Sequence, residues 1–220
     1  MIAKYLITDE IPPLKHTDSG NTALHWMDEF KVSHLPVLKN DNFVGLVSES
    51  DLLDKQDLDQ TLDKLFDHLP RPYVKEKAHI YEVLYKIAEH KISVIPILKD
   101  DETYAGCTSI HQLMTMIANT GSIKETGGVL VLEVNQNNYS LAQIAQIVES
   151  NNAKILSSYI MSTPESTNLE VTLKINQVDL TRIIRTFERY DYKISATYQK
   201  SDFEEDLQIR YDALMNFLKF

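Results

Sequence analysis

A serine followed three residues later by an aspartate, Ser48 and Asp51 in the stretch GLVSESD at 45–51, is the pairing most open to chemistry. A carboxylate can accept hydrogen bonds from both hydroxyls of a ribose, and a serine at a helix start sits beside free backbone N–H groups that suit an anion. The same Ser-x-x-Asp spacing is also a helix start signal. The serine oxygen then accepts a backbone N–H, and the acid faces the positive end of the helix dipole. Both readings stay open on these residues alone.

Other reactive side chains form no such pattern. The seven histidines (16, 25, 34, 68, 79, 90, 111) lack ligand spacing, so a metal site is not expected. Cys107 stands alone, which excludes an intrachain disulfide and a cysteine zinc site. Asp100 and Asp101 lie in a turn and read as solvated. No P-loop, GxSxG elbow or GxGxxG occurs, and the chain is expected to be no enzyme. The net charge of −10 opposes a nucleic-acid partner. Residues 1–122 carry 12 basic and 19 acidic side chains, the remainder 10 and 13, so neither half is basic. No run approaches the ~18 apolar residues of a membrane span, and MIAKYLITDEIPP does not read as a secretory signal. The expectation is a soluble cytoplasmic protein.

The elements that must position Ser48 and Asp51 occur twice. VSHLPVLKNDNFVGLVSESDLLD, from Val32, returns as ISVIPILKDDETYAGCTSIHQLM, from Ile92, after a shift of 60 residues. Pro36 matches Pro96 and Lys39 matches Lys99. After a one-residue insertion Gly45 matches Gly106, Ser48 matches Ser109 and Leu52 matches Leu113. Upstream, Leu24, Met27 and Phe30, and Val83, Leu84, Ile87 and Ala88, have helical spacing. Each unit therefore reads helix, short strand, acidic turn, strand, helix. The prolines suggest that each first strand begins there or lies beside an edge. DLDQTLDKLFDH, 57–68, reads as a partly helical connection ahead of Pro70 and Pro72, and Trp26 as core. A lone unit of about 60 residues would be marginal, so the pair is the expected folding unit.

The pattern helix, hhPV, turn, GhhSxxD, helix, present twice, resembles the CBS-domain pair, or Bateman module. The resemblance implies an adenine nucleotide (AMP, ADP or ATP) or S-adenosylmethionine in a cleft between the repeats as a regulatory ligand, with no cofactor required. It also implies association into homodimers and control of a partner protein. Carried onto this sequence, the first cleft holds Ser48 and Asp51 with Val47. Arg71, Pro72 and Tyr73 of the lead-in to the second repeat, and Ser93 and Val94 ahead of Pro96, would flank the base. His34, Arg71 and His111 are the nearest cations for a phosphate, because Ser33 and Ser93 stand where relatives often place arginine or histidine. In the second repeat Gln112 replaces the aspartate. That site is expected to be degenerate, with Gln112 closing a capping box on Ser109.

The second half changes texture at Gly127. GGVLVLEV reads as a strand. SLAQIAQIVESN reads as a helix opened by Ser140, with Leu141, Ile144, Ile147 and Val148 on one face. KILSSYIMST and LEVTLKIN form a hairpin around PESTN. DLTRIIRTFERY is a second helix with Leu180, Ile183, Ile184 and Phe187 apolar, and KISATYQK is a last strand. The order βαββαβ is ferredoxin-like, and the first strand, loop and helix resemble an ACT domain. In the loop QNNYSL, 136–141, Tyr139 and Gln136 stand where that family has glycine and aspartate, so dimerisation is the expected role rather than amino-acid binding. SDFEEDLQIRYDALMNFLKF reads as an amphipathic helix with a capping box of Ser201 and Glu204 and a stripe of Phe203, Leu207, Tyr211, Leu214 and Leu218.

The expected fold class is thus α+β. A tandem CBS pair spans 1–122, with repeats at about 1–60 and 61–122; an ACT-like ferredoxin-like domain spans 127–200, and a C-terminal helix 201–220. The domain order resembles the stand-alone CBS proteins of the acetoin-utilisation AcuB type. The expected function is a regulatory sensor of an adenosyl ligand. The competing readings are a dimeric scaffold with empty clefts and an amino-acid sensor.

Overall fold

The computed structural model of the protein describes residues 1–162 and 166–198. The tail expected to form a helix at 201–220, with its Ser201 and Glu204 capping box, lies outside the described residues, as does part of PESTN. The chain divides into two compact units, Met1–Ile117 and a second that begins at Ala118.

In the first unit, a single 3-10 turn at Ala3–Leu6 precedes β1 (Leu14–Lys15), α1 (Gly20–Phe30), β2 (His34–Lys39), β3 (Asn42–Ser48) and α2 (Glu49–Leu53). A short α3 (Leu62–Leu65) follows. The pattern then repeats as β4 (Val74–Lys75), α4 (Ile80–His90), β5 (Val94–Leu98), β6 (Tyr104–Ser109) and α5 (Ile110–Ala118). Each repeat builds a three-stranded sheet, β1-β2-β3 and β4-β5-β6, with its first pair parallel and its second antiparallel. The prolines do not start their strands. Pro36 pairs with Leu46 inside β2, and Pro96 with Cys107 inside β5. They are tolerated because β1 reaches only Val37 and Leu38, and β4 only Ile97 and Leu98, so no partner strand needs the missing N–H.

The two helices before the central strands end alike. Lys31 and Lys91 both adopt the left-handed conformation, each with φ of 53°, and Val32 and Ile92 then return a hydrogen bond into the last turn. The one-residue insertion is absorbed by the hairpin. In the first repeat Asn40 and Asp41 turn with φ of 49° and 63°, the two-residue loop that suits a twisted hairpin. In the second the loop is longer and is closed by Asp101, which accepts hydrogen bonds from the Thr103 amide and hydroxyl.

The repeats exchange their lead-in segments. Residues ahead of β1 pack on the second repeat: Ala3 and Leu6 share a core with Val83, Ile87, Ile95, Ile97 and Leu113, and the Thr8 amide donates to the Cys107 carbonyl at 3.0 Å. Residues ahead of β4 pack on the first repeat. Leu62, Phe66 and Leu69 join its core, and the Leu46 amide donates to the Pro70 carbonyl at 2.8 Å. The matched glycines make room for these segments. A Cβ on Gly45 would collide with Leu69, and one on Gly106, whose φ is +145°, would meet Ile7. Two pairs of equivalent residues touch each other, Phe43 stacked on Tyr104 at 6.5 Å and Ser33 hydrogen-bonded to Ser93. Self-contacts of this kind place the pseudo-two-fold axis of the repeats between them. Trp26 is partly buried against the first repeat's core.

The second unit opens with a short α6 (Gly121–Lys124), followed by β7 (Gly128–Asn135), α7 (Leu141–Ser150), β8 (Ile155–Ser162), β9 (Asn168–Ile175), α8 (Thr181–Arg189) and β10 (Lys193–Tyr198). The antiparallel sheet has the order β10-β7-β9-β8, the ferredoxin-like plan. Leu130, Leu132, Val171 and Leu173 pack against Ile144, Ile147, Val148, Ile183 and Phe187 in one core. Leu141, expected on the apolar face of α7, is exposed, because its place in the first turn lies beyond the edge of that core. Ser140 caps α7 through the Gln143 amide, and Asp179 accepts the Thr181 amide at the start of α8.

Candidate functional site

β3 ends on Ser48, the N-cap of α2, and the strand partner of Ser48 is His34 on β2. Ser48 is nearly buried. Its hydroxyl accepts the Asp51 amide at 3.1 Å and lies 3.0 Å from the Ser50 hydroxyl, so it caps α2. The Glu49 amide is taken by the Ser33 carbonyl at 2.9 Å. With α2 only five residues long, its dipole is small and two of its first three amides are already bound. The start of this helix therefore offers less to an anion than Ser-x-x-Asp suggested.

Asp51 is different. Its carboxylate is exposed and makes no hydrogen bond or ion pair among the described residues, yet its charge acts on His34. His34 is half-buried, and burial pushes its imidazole below the ordinary value while Asp51 pulls it back up. Its Nδ1 lies 3.1 Å from the Ser33 hydroxyl, 3.2 Å from that of Ser93 and 3.3 Å from the Ser93 amide. The expected site residues Ser48, Asp51, His34 and Ser93 are thus brought together. Val47 and Val94 lie fully buried beneath them in the first repeat's core, where they can shape a cleft but not contact a ligand. Ser33 and Ser93 also border a mainly apolar groove of about 480 Å³ lined by Leu84, Ile87, Ile110 and Met114.

Four expected contacts are placed elsewhere. Arg71 donates to the Phe43 carbonyl at 3.1 Å and lies over that ring. Phe43 and Ser48 are five residues apart on one strand, roughly 17 Å at strand rise, so Arg71 serves the far end of β3. There it lines a separate cavity of about 360 Å³ with Lys39, Phe66 and His68. Pro72 is buried. Tyr73 gives its carbonyl to Lys86 at 2.9 Å, and its ring lies beside the ammonium groups of Lys75 and Lys86. His111 is exposed in the first turn of α5 and belongs to the second repeat's helix.

The second repeat uses equivalent positions otherwise. Ser109 accepts the Gln112 amide at 3.2 Å, as Ser48 accepts that of Asp51. Gln112 does not complete a capping box. Its side-chain amide donates instead to Glu10 at 2.9 Å and to Thr8 at 3.3 Å. Acceptors on the lead-in segment outcompete a return to the helix start. Sequence reasoning missed both this tether and the Ser33–Ser93 contact, although the 60-residue shift that relates those serines was its one available signal.

The family model of the CBS domain matches residues 3–57. Residues 3–57 are a CBS domain. The second repeat, with the same elements in the same order and its own Gly-x-x-Ser, completes the tandem arrangement. Among solved structures, a CBS domain pair/ACT domain protein from Thermotoga maritima is similar at 26% identity and a TM-score of 0.47, covering 53% of this chain and 96% of that one. An acetoin utilization protein (AcuB) from Vibrio cholerae is 23% identical, with a TM-score of 0.48, covering 54% and 91%. The protein CBSX2, solved in complex with AMP, is 21% identical, with a TM-score of 0.45, covering 53% and 95%. Among the described residues no helix is long and apolar enough to cross a membrane, and no group of three His, Cys, Asp or Glu could hold a metal ion.

Proposed function

We propose that this protein is a non-catalytic regulatory sensor whose first CBS repeat takes an adenosyl ligand, an adenine nucleotide or S-adenosylmethionine, beside Ser48 and Asp51. One observation carries the reading: at equivalent positions the second repeat's Gln112 is tied down by Thr8 and Glu10, while Asp51 stands exposed and, among the described residues, unpaired. A free carboxylate next to a polar seam suits the two hydroxyls of a ribose. The apolar groove beside Ser33 and Ser93 suits a base. His34 can donate from Nε2 to a phosphate, and the distance of Arg71 from the cluster favours ligands with little phosphate charge. The ligand regulates by favouring one arrangement of repeats or of chains over another.

The ferredoxin-like unit is read as ACT-like and as a dimerisation module. Tyr139 packs against its core, which disfavours an amino-acid site in the 136–141 loop. A second reading, a dimeric scaffold with empty clefts, draws support from the use of the Ser48 hydroxyl as a helix cap.

A thermal-melt series with AMP, ADP, ATP and S-adenosylmethionine, run with Asp51→Ala alongside, separates the two. A ligand at 100-fold excess over its Kd adds ~2.7 kcal/mol, roughly 5–10 °C in a chain of this size. A shift lost in Asp51→Ala supports the sensor. No shift with any of them at millimolar concentration supports the scaffold.

A further inference from the structure

At the seam between the two repeats, one polar side chain lacks a counterpart. Ser33 and Ser93 are equivalent and meet directly, the Ser33 amide donating to the Ser93 hydroxyl at 3.0 Å. The next residue is His34 in the first repeat and Val94 in the second. His34 Nδ1 faces the Ser93 amide at 3.3 Å and the two serine hydroxyls at 3.1 and 3.2 Å. A backbone amide can only donate, so Nδ1 accepts, the ring is neutral and its proton is on Nε2. A proton added to Nδ1 would point a donor at a donor.

We propose that His34 is a proton-operated latch across this seam: neutral, it ties the main chain at Ser93 to the first repeat; charged, it releases Ser93 and is held by Asp51 instead. The ring is surrounded by β2, β3, the start of α2 and the segment ahead of β5. Ser33, Ser48 and Ser93 from these elements are uncharged. Glu49 and Lys91, the next charged side chains along them, are exposed, and Asp51 is the carboxylate whose charge reaches the ring. Burial holds His34 neutral and the Asp51 charge opposes burial, so changes at Asp51 are transmitted to the seam without any contact between Asp51 and Ser93. The latch does not depend on ligand binding.

The test is an NMR pH titration of the full chain from about pH 4.5 to 8, reading the His34 ring resonances and the Ser93 amide proton. The expected result is that His34 titrates below the ordinary value of about 6.5, and that the Ser93 amide moves with the same midpoint. The movement vanishes in His34→Asn, whose side-chain oxygen can accept the same bond without titrating. Asp51→Asn moves the His34 midpoint further down. It gives an independent reading should His34→Asn fail to fold. A His34 midpoint at or above the ordinary value, a Ser93 amide that does not follow it, or a midpoint unmoved in Asp51→Asn would overturn the latch.

Discussion

The two repeats share one architecture and differ where chemistry could occur. Both cap the second helix with a serine, both end the first helix on a left-handed lysine, and both bury a leucine one turn into the second helix. They part at the residue three beyond the serine. Asp51 faces solvent, unpaired among the described residues, while Gln112 is anchored to the lead-in segment by Thr8 and Glu10. They part again at the seam, where the first repeat has His34 and the second has Val94 at the equivalent position. A duplicated fold keeps its packing and capping in both copies, because each copy must bury its sheet. The polar positions at the start of that helix are free to diverge, and here Gln112 is tied to the lead-in segment while Asp51 is left exposed.

This comparison can be pressed hardest in the cores. Leu52 and Leu113 are fully buried at equivalent positions. Replacing either by alanine is expected to cost about 2–5 kcal/mol, read by urea unfolding. A much smaller loss at one of them would break the equivalence of the repeats.

Next in size is the ligand effect. The ~2.7 kcal/mol of stabilisation expected at 100-fold excess should disappear in Asp51→Ala and persist in Gln112→Ala. Isothermal titration with AMP and S-adenosylmethionine distinguishes them, and equal losses in both variants would remove the asymmetry.

The caps come third. Ser48→Ala and Ser109→Ala should each lower stability by about 1 kcal/mol without ligand. Because both hydroxyls do the same job, the two losses should agree when measured by the same unfolding curves. Only Ser48→Ala should also reduce a ligand-induced shift.

The smallest difference is in pH dependence. His34 is held below its unfolded value by burial, so it binds fewer protons in the folded chain. The stability it contributes is fully present above about pH 6.5 and is lost as pH falls through its folded value. His34→Asn should therefore flatten the acid side of the stability profile, whereas Val94→Ile should leave its shape unchanged. Melting midpoints measured in steps across this range provide the check.

Much of this was legible from residues alone. The 60-residue shift, the helical spacing around Met27 and Ile87, and the turn residues at Asn40–Asp41 follow from local rules of periodicity and backbone conformation. So does Ser48 as a cap, since its partner is three residues away. The βαββαβ order was readable for the same reason. What escaped was of two kinds. Arg71, two residues beyond Leu69 and two before Tyr73, looked close to the cleft, but the lead-in runs along β3 and carries it to Phe43. Gln112 looked like a capping residue, but Glu10, 102 residues away, offers its amide a better acceptor.

The sequence by itself determined the repeat, the elements within it and the serines that cap them, because each rests on neighbours within a few positions along the chain. Only the tertiary structure decided that the repeats exchange lead-in segments, that Ser33 meets Ser93 beneath His34, and that Gln112 is tied to Thr8 and Glu10 while Asp51 is left exposed. Those outcomes depend on which distant donor and acceptor are brought within 3 Å or so, and spacing along the chain carries no record of that.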